Sequence, residues 1–346
     1  MLGVRPQRST GAHCKSGGFW FMGDSQSQEV KLRGVDRVEV VSLVDNSVDL
    51  LSASGHPCVK SFWQWTKHKE GQSSRSRLPL AEHGFSMYVK VFCGDGVVSF
   101  LFDAGMSGRV FVENTEVLGL DLGDVDFVVL SHGHYDHFGG LLSAVELVGK
   151  DGLPLIVHED MFKQRGTCSR GSSVTRYPDF PNKAQLAGMQ LIFTKDPYLA
   201  GNGCVCVTGE IPRLTSFEVG STSHRMRKGG SWRADPLILD DRAVVLHIRG
   251  KGLVVLSGCA HAGVINTINY ARQITGVSEI YAVLGGFHLA GKNVENKIRL
   301  TVNALVGFNP FLIVPSHCTG WNAEVALARA LPEAFVHNSV GNFYSL

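Results

Sequence analysis

Residues 130–140 (LSHGHYDHFGG) constrain this chain most, because they place three histidines and one aspartate within six residues. The preceding run, residues 126–130, is short, apolar and β-branched, which is typical of a buried strand. The following residues 141–148 are apolar with helical character. The sequence therefore predicts that these side chains leave the end of a strand on a loop that leads into a helix.

The four side chains of this stretch have the chemistry and spacing of metal ligands. His132 and His134 are two residues apart, so in an extended segment they point the same way and can bind one ion. Asp136 and His137 follow as the chain turns and can reach a second ion about 3.5–4 Å from the first. Imidazole and carboxylate suit zinc, iron and manganese alike. With only 14 histidines in 346 residues, so tight a cluster is improbable for scattered surface residues.

Three apolar runs in the second half of the chain each end in a loop that carries a histidine. The runs cover residues 253–256, 280–284 and 311–314, and the histidines are His261, His288 and His317. The carboxyl ends of such strands meet at one edge of a sheet, where ligands bind. We therefore expect these histidines to complete the site. The repeated order of strand, loop and helix predicts an α/β fold with antiparallel components.

Asp103 ends another predicted strand, residues 97–102, which follows a hairpin turn at residues 94–96. Its carboxylate either accepts hydrogen bonds from the amides of the turn or orients a metal-bound histidine.

Composition excludes several classes of function. A formal net charge of +2 does not favour general binding to polyanions, and no nucleic-acid motif is visible. No apolar run approaches the roughly 18 residues of a membrane span. The eight cysteines form no CxxC pairs, which indicates a reducing, cytoplasmic compartment.

Residues 1–35 are predicted to be a poorly ordered extension, with organelle targeting as the alternative. Residues 36–346 are predicted to form a single domain.

Two basic segments, residues 163–183 and 221–236, are predicted to be polar loops. Charged runs are usually solvated, but two of them in a protein with a metal centre indicate an anionic, phosphorylated substrate. Arg225, Arg227 and Lys228 are the candidates for phosphate binding.

The chain resembles the metallo-β-lactamase-fold superfamily, on the strength of Asp103, residues 131–140 and the later strand-end histidines. Within it, the chain is similar to the 7,8-dihydropterin-6-methyl-4-(β-D-ribofuranosyl)aminobenzene-5′-phosphate synthase branch. Five segments carry this second likeness, namely AEHGFS (81–86), GEIPR (209–213), GCAHAG (258–263), GGFHL (285–289) and PSHCTGW (315–321).

The resemblance implies an αββα sandwich, in which two mixed β-sheets face each other with helices outside. It also implies one or two divalent metal ions, zinc foremost, with iron or manganese as alternatives. Asp103 would orient a ligand. The ligands would be His132 and His134 for the first metal, and Asp136, His137 and His317 for the second.

One departure from the family pattern leaves alternatives open. Many members carry a bridging aspartate in a Gly-Asp pair, where this chain has Gly258-Cys259. Either Cys259 binds metal as a thiolate, or His261 takes its place. The middle histidine of the family is likewise either replaced by Glu210 or supplied by His261. We expect His261 to be a ligand, and we keep Cys259 and His288 as candidates.

The expected function is that of a metal-dependent hydrolase, in which a metal-bound hydroxide attacks a phosphorylated heteroaromatic small molecule. Asp136 and His288 are the expected catalytic side chains. One alternative is a transferase that joins a pterin to a ribofuranosylaminobenzene phosphate with loss of pyrophosphate. A second is a non-catalytic metal- or ligand-binding protein. The expected partner is a small anionic molecule, with no nucleic acid or membrane, and self-association is left open.

Overall fold

The computed structural model describes residues 29–66, 77–168, 173–291 and 294–346. Residues 1–28 of the predicted extension lie outside the described residues. Residues 29–35, however, pack on the domain: Val30 donates its backbone N–H to Ile274 O at 2.7 Å, and Val35 is fully buried. The predicted extension is therefore too long at its C-terminal end.

The described part of the chain contains eighteen β-strands. They are, in chain order, β1 (Arg37–Val44), β2 (Val59–Lys60), β3 (Ser86–Cys93), β4 (Gly96–Phe102), β5 (Phe127–Val129), β6 (Leu153–Val157), β7 (Arg165–Thr167), β8 (Thr175–Arg176), β9 (Met189–Phe193), β10 (Tyr198–Ala200), β11 (Val205–Val207), β12 (His224–Lys228), β13 (Ser231–Ala234), β14 (Ala243–Ile248), β15 (Gly252–Ser257), β16 (Ile280–Gly286), β17 (Leu312–Ser316) and β18 (Phe343–Ser345).

Two large sheets are both mixed, as predicted. The first has eight strands in the order β2-β18-β1-β3-β4-β5-β6-β9, and its pairs from β4 to β9 are parallel. The second has six strands in the order β10-β11-β14-β15-β16-β17, and its parallel pairs join β15, β16 and β17. The predicted hairpin at residues 94–96 joins β3 to β4, and Gly94 supplies the positive φ of 64° that the turn needs.

Seven α-helices lie in the described residues. They are α1 (Phe62–Thr66), α2 (Gly108–Leu118), α3 (Tyr135–Phe138), α4 (Leu141–Val148), α5 (Val264–Thr275), α6 (Ile298–Phe308) and α7 (Trp321–Ala330).

Side chains that alternate along the strands divide the core into three layers. On β15, Val254 and Leu256 point into the layer between the sheets, whereas Leu253 and Val255 face the layer beneath α5, α6 and α7. A third layer joins the outer face of the first sheet to α2 and α4. Full burial of such aliphatic side chains contributes about 1.5–3 kcal/mol each to folding. The αββα order predicted from the resemblance is confirmed.

The two basic segments are not the polar loops that the sequence predicted. Together they form a third sheet of four strands in the order β13-β12-β7-β8, which we call the small sheet. His224 of β12 pairs with Thr167 of β7, so strands from both segments lie side by side. The sequence did not show this pairing because each strand is short and its partner is distant in the chain.

Within the described ranges, no helix has the length and apolar character that crossing a bilayer requires.

Candidate metal centre

The predicted ligands lie on loops that leave the carboxyl ends of parallel strands in both large sheets. β5 leads to His132 and His134, while β15 leads to His261 and β17 to His317. Because the sheets face each other, loops distant in sequence meet at one edge. His261 Nε2 lies 3.1 Å from His134 Nδ1, although 127 residues separate them.

The first group of donor atoms consists of three imidazoles. His132 Nε2 lies 3.0 Å from His134 Nδ1, and His261 Nε2 lies 3.1 Å from the same atom. Nitrogen atoms bound to one tetrahedral zinc ion are separated by about 3.3 Å, since each Zn–N bond is about 2.0–2.1 Å long. The spacing of the three nitrogen atoms therefore fits a shared ion.

The second group combines a carboxylate, two imidazoles and a thiol. His317 Nε2 lies 3.2 Å from Asp136 Oδ2, and His137 Nε2 lies 3.1 Å from Cys259 Sγ. One donor atom from each of the four residues lies within 4.8 Å of the others. The rings of His132 and His137 are 4.2 Å apart, so the two groups adjoin.

The protonation of the first group suits metal binding. Burial lowers the pKa values of His132, His134 and His261 well below their usual value, and the charges of neighbouring side chains lower them further. All three imidazoles are therefore neutral at neutral pH, which is the form that binds a metal ion.

The second group favours positive charge. Burial by itself lowers the pKa of His137, but the carboxylates of Asp103 and Asp136 outweigh it and raise that pKa to about 9. Burial likewise raises the pKa of Asp136, but the imidazoles of His137 and His317 outweigh it and hold that pKa below its usual value. Among the described residues, the buried His317 Nε2 has no hydrogen-bond partner, although Asp136 Oδ2 lies 3.2 Å away. An ionised carboxylate beside an unsatisfied imidazole nitrogen is what a bound cation requires, so the residues fit the metal that the family implies.

Asp103 makes the contact expected of a carboxylate that orients a ligand. Its Oδ2 accepts hydrogen bonds from His137 Nδ1 at 2.6 Å and from Ser131 Oγ at 2.7 Å, and its Oδ1 accepts from Ser131 N at 2.6 Å. This arrangement places a proton on Nδ1 and turns His137 Nε2 toward Cys259 Sγ in the second group.

We expect Asp103→Ala to weaken metal binding at the second group by about 10–100-fold, because His137 loses the partner that fixes its tautomer. Competition with a chromogenic chelator would measure the affinity. Asp126→Ala is the matched control, since Asp126 also accepts a backbone N–H, from Ser99, but lies outside the donor groups. Equal affinities for the wild type and Asp103→Ala would contradict this role.

Two polar residues directly after β1, Asp45 and Asn46, form hydrogen bonds with the backbone of His317. Asp45 Oδ1 accepts the backbone N–H of His317 at 2.7 Å, and Asn46 Nδ2 donates to His317 O at 2.5 Å. His317 has a positive φ of 51°, which is uncommon for a residue with a Cβ. These two contacts hold the strained backbone in place.

Sequence reasoning missed the residues that join the two ligand loops. Asp240 Oδ2 accepts the N–H of Gly133, between His132 and His134, at 2.8 Å. Asp241 Oδ2 accepts the N–H of Ala262, next to His261, also at 2.8 Å. Arg242, which is almost fully buried, donates to Leu130 O at 2.7 Å. Three consecutive charged residues just before the apolar strand β14 were the available signal.

Arg165 extends this network from the small sheet. Its Nη2 lies 2.5 Å from Asp240 Oδ1, and its side chain is almost completely buried. The first basic segment therefore contributes a structural ion pair as well as exposed charge.

Other predicted residues lie outside the two groups. Glu210 Oε1 lies 3.1 Å from His158 Nε2 and belongs to neither group, whereas His261 does belong to the first. Of the two alternatives for the middle histidine, the geometry favours His261. The ring of His288 lies 4.2 Å from that of His261, beside the first group rather than within it.

The predicted phosphate-binding residues are not grouped around the centre. Along β12, His224 stacks on His134 at 5.3 Å, and residues one position away point to the opposite face. Arg225 and Arg227 therefore face away from His134. Lys228 shares the face of His224 but lies four residues further along, about 13 Å away.

Comparisons with known proteins agree with this fold. A model of the metallo-beta-lactamase superfamily matches residues 86–214. The chain is 28% identical, over 272 residues, to the 7,8-dihydropterin-6-methyl-4-(beta-D-ribofuranosyl)-aminobenzene-5′-phosphate synthase of Methanocaldococcus jannaschii, covering 74% of this chain and 87% of that protein. It is also 30% identical, over 270 residues, to an uncharacterized protein of the same organism, covering 77% of this chain and 94% of that protein.

A solved structure described as a metal-dependent hydrolase of the beta-lactamase superfamily matches with a TM-score of 0.66 and 25% identity. The match covers 89% of this chain and 98% of that one. Sequence and structure thus agree over most of the described residues, and the chain belongs to the metallo-beta-lactamase superfamily.

Proposed function

We propose that this protein is a metal-dependent hydrolase that acts on a phosphorylated heteroaromatic small molecule. The observation that carries the proposal is the pair of adjoining donor groups, one of His132, His134 and His261 and the other centred on Asp136 and His137. The mixture of imidazole, carboxylate and thiol donors favours zinc as the metal. Two such cations would polarise a phosphoryl group and activate water for attack.

The chain's own residues prepare the site for this chemistry. The neutral imidazoles of the first group present lone pairs, and the ionised Asp136 supplies negative charge. His83 lies at the edge of the site, with its Nε2 3.5 Å from Asp136 Oδ2 and 59% of its side chain exposed. Burial of the rest of the ring lowers the pKa of His83, so the neutral ring can accept a proton from an incoming group.

The small sheet and Tyr177, which directly follows β8, supply surfaces that suit a flat ring. The Tyr177 ring lies 5.4 Å from the His134 ring, and the His224 ring lies 5.3 Å from it on β12. Aromatic side chains of this kind pack against heteroaromatic rings by stacked or edge-to-face contacts. The similarity to a synthase whose name contains a pterin and a phosphate supports the same class of ligand.

Hydrolysis of a chromogenic phosphodiester by the zinc-loaded protein tests the hydrolase proposal. We expect turnover that a chelator abolishes and that added zinc restores, because the donor groups have no catalytic power without a cation. A protein that holds two zinc ions but cleaves no phosphoester would contradict the proposal.

A transferase is the second candidate, and the synthase relative specifically favours it. In that reaction an arylamine attacks the carbon next to the pterin, and pyrophosphate leaves. Release of pyrophosphate from a dihydropterin-methyl diphosphate, dependent on an added ribofuranosylaminobenzene phosphate, would identify it. Release that does not require the arylamine would instead support hydrolysis.

We expect the triple variant Arg225→Ala, Arg227→Ala and Lys228→Ala to raise KM for a phosphorylated substrate and to leave KM for a neutral ester unchanged. Because these side chains do not converge on the centre, the effect is one of electrostatic steering, about tenfold at low salt. It should shrink as salt is added, since at 1 M salt the screening length falls to about 3 Å. Michaelis–Menten measurements at two salt concentrations check this.

A control that removes two basic side chains far from the centre replaces Arg249 and Lys251 by alanine. Both lie at the turn between β14 and β15, at the end of the second sheet opposite to His261. Equal effects of the triple variant on charged and neutral substrates would remove the reason for an anionic substrate.

A further inference from the structure

Three residues with metal-binding side chains follow three neighbouring strands, each by the same number of residues in sequence. Cys259, His288 and Cys318 each lie two residues after the end of β15, β16 and β17, respectively. β16 pairs in parallel with both of the other strands, so these loops leave the sheet side by side. One donor atom from each residue lies within 4.8 Å of the other two.

A glycine leaves room for the two cysteines to approach. A Cβ added to Gly286 would lie 2.8 Å from Cys318 Sγ and 3.2 Å from Cys259 Cα, which is too close for an ordinary contact. In the space that glycine leaves, Cys318 Sγ lies 3.5 Å from Cys259 O. The absence of a side chain at this position therefore lets the Cys318 thiol lie beside Cys259.

His288 completes the group at some cost in backbone strain. Its φ is 46°, a left-handed conformation that is uncommon for histidine. Its buried Nδ1 has no hydrogen-bond partner in the described part of the chain. Strained backbones and unsatisfied buried nitrogens concentrate at functional sites.

We propose that Cys259, His288 and Cys318 bind a further cation of the thiophilic class, such as zinc, beside the two donor groups of the candidate metal centre. Two thiolates and one imidazole are an established zinc ligand set that leaves a fourth position open. Cys259 also belongs to the second group, so its sulfur bridges the two positions. Of the two roles that the sequence left open for His288, catalytic residue and ligand, this proposal assigns that of ligand. This assignment concerns binding and does not depend on the hydrolase function.

Titration of the metal-free protein with cadmium tests the proposal, because thiolate binding to cadmium produces near-ultraviolet charge-transfer absorbance. For the wild type we expect three equivalents of metal per chain, measured by plasma mass spectrometry. Cys318→Ser should bind one equivalent fewer and lose about two thirds of the absorbance, since two of the three thiolate–cadmium contacts, one from Cys318 and one from the bridging Cys259, go with that ion. The same stoichiometry and absorbance as in the wild type would overturn the proposal.

Two further variants separate ligand loss from general damage. His288→Asn keeps a residue that tolerates positive φ. It should lower the affinity for the third metal equivalent by at least about tenfold, while both thiols remain. Cys58→Ser is the matched control, because Cys58 contacts Tyr281 Oη at 3.6 Å and belongs to none of the donor groups. It should bind as much cadmium as the wild type.

A measurement on the unaltered chain covers the case in which Cys318→Ser does not fold. Iodoacetamide should modify Cys318 of the metal-free protein, and saturating zinc should slow this reaction at least about tenfold, because a metal-bound thiolate is a poor nucleophile. Peptide mass spectrometry follows the modification site by site. Equal rates with and without zinc would overturn the assignment.

Discussion

Replacement of His132 and His134 by alanine is expected to remove one metal equivalent per chain and to lower the proposed phosphodiester hydrolysis by at least about a hundredfold. The two rings supply two of the three nitrogen atoms of the first group, and their nearest ring nitrogens are 3.0 Å apart. With both rings absent, only His261 remains, and one imidazole does not hold a divalent cation at micromolar concentrations. Loss of a single preorganised electrostatic contact already costs about 10²–10³ in turnover.

Metal content by plasma mass spectrometry and hydrolysis of a chromogenic phosphodiester measure the two effects separately. His158→Ala is a matched control, because His158 is equally buried but pairs with Glu210 outside the donor groups. A double variant that keeps the full metal content of the wild type would reject the ligand assignment. Normal metal content in the control would show that loss of a buried imidazole is not enough to empty the site.

Asp240→Ala is expected to destabilise the fold by about 3–5 kcal/mol, which is the usual result of leaving one partner of a buried ion pair uncompensated. Asp240 is fully buried, and its Oδ1 lies 2.5 Å from Arg165 Nη2. Of the other carboxylates near Arg165, Asp235 comes no closer than 3.7 Å. The Gly133 N–H would lose its acceptor as well. Urea denaturation of the metal-free protein measures the free energy of unfolding.

The double variant Asp240→Ala with Arg165→Met distinguishes the charge effect from a general packing defect. If the unpaired guanidinium of Arg165 causes the loss of stability, removal of both charges should recover part of the free energy of unfolding. A single variant that loses less than about 1 kcal/mol would contradict the buried ion pair.

The ion pair of Asp240 and Arg165 also predicts how the free energy of unfolding depends on pH. Burial raises the pKa of Asp240, but the charge and hydrogen bond of Arg165 outweigh it and hold that pKa below its usual value. A depressed carboxylate pKa stabilises the fold at pH values above the unfolded pKa, which is about 3.9. The contribution is lost as the pH falls through the lower, folded pKa. In acid, wild-type stability should therefore fall toward that of Asp240→Ala.

The sequence by itself determined the local elements that carry the site. The short, continuous apolar runs predicted strands, and the histidines were placed after them because a strand ends where its apolar run ends. The cluster from His132 to His137 was recognisable because its candidate ligands are neighbours in the chain. Asp103 was proposed as a residue that orients a ligand because it directly follows β4.

Only the tertiary structure decided which distant residues share a donor group. The sequence left Glu210 and His261 as alternatives, and the facing of the two sheets placed His261 beside His134. The packing of the two sheets also placed Cys259 beside His137, and Cys318 beside Cys259.

The other features that the sequence did not predict also depend on contacts between distant parts of the chain. The two basic segments looked like solvated loops, because strands of two to five residues give almost no periodic signal, yet they pair into the small sheet. Asp240, Asp241 and Arg242 are charged residues that a sequence reading assigns to the surface, since unpaired charges are rarely buried. Each is buried here because its partner comes from a distant loop. Apolar periodicity specifies which face of an element is buried, whereas the packing of the sheets decides which polar groups meet at their edge.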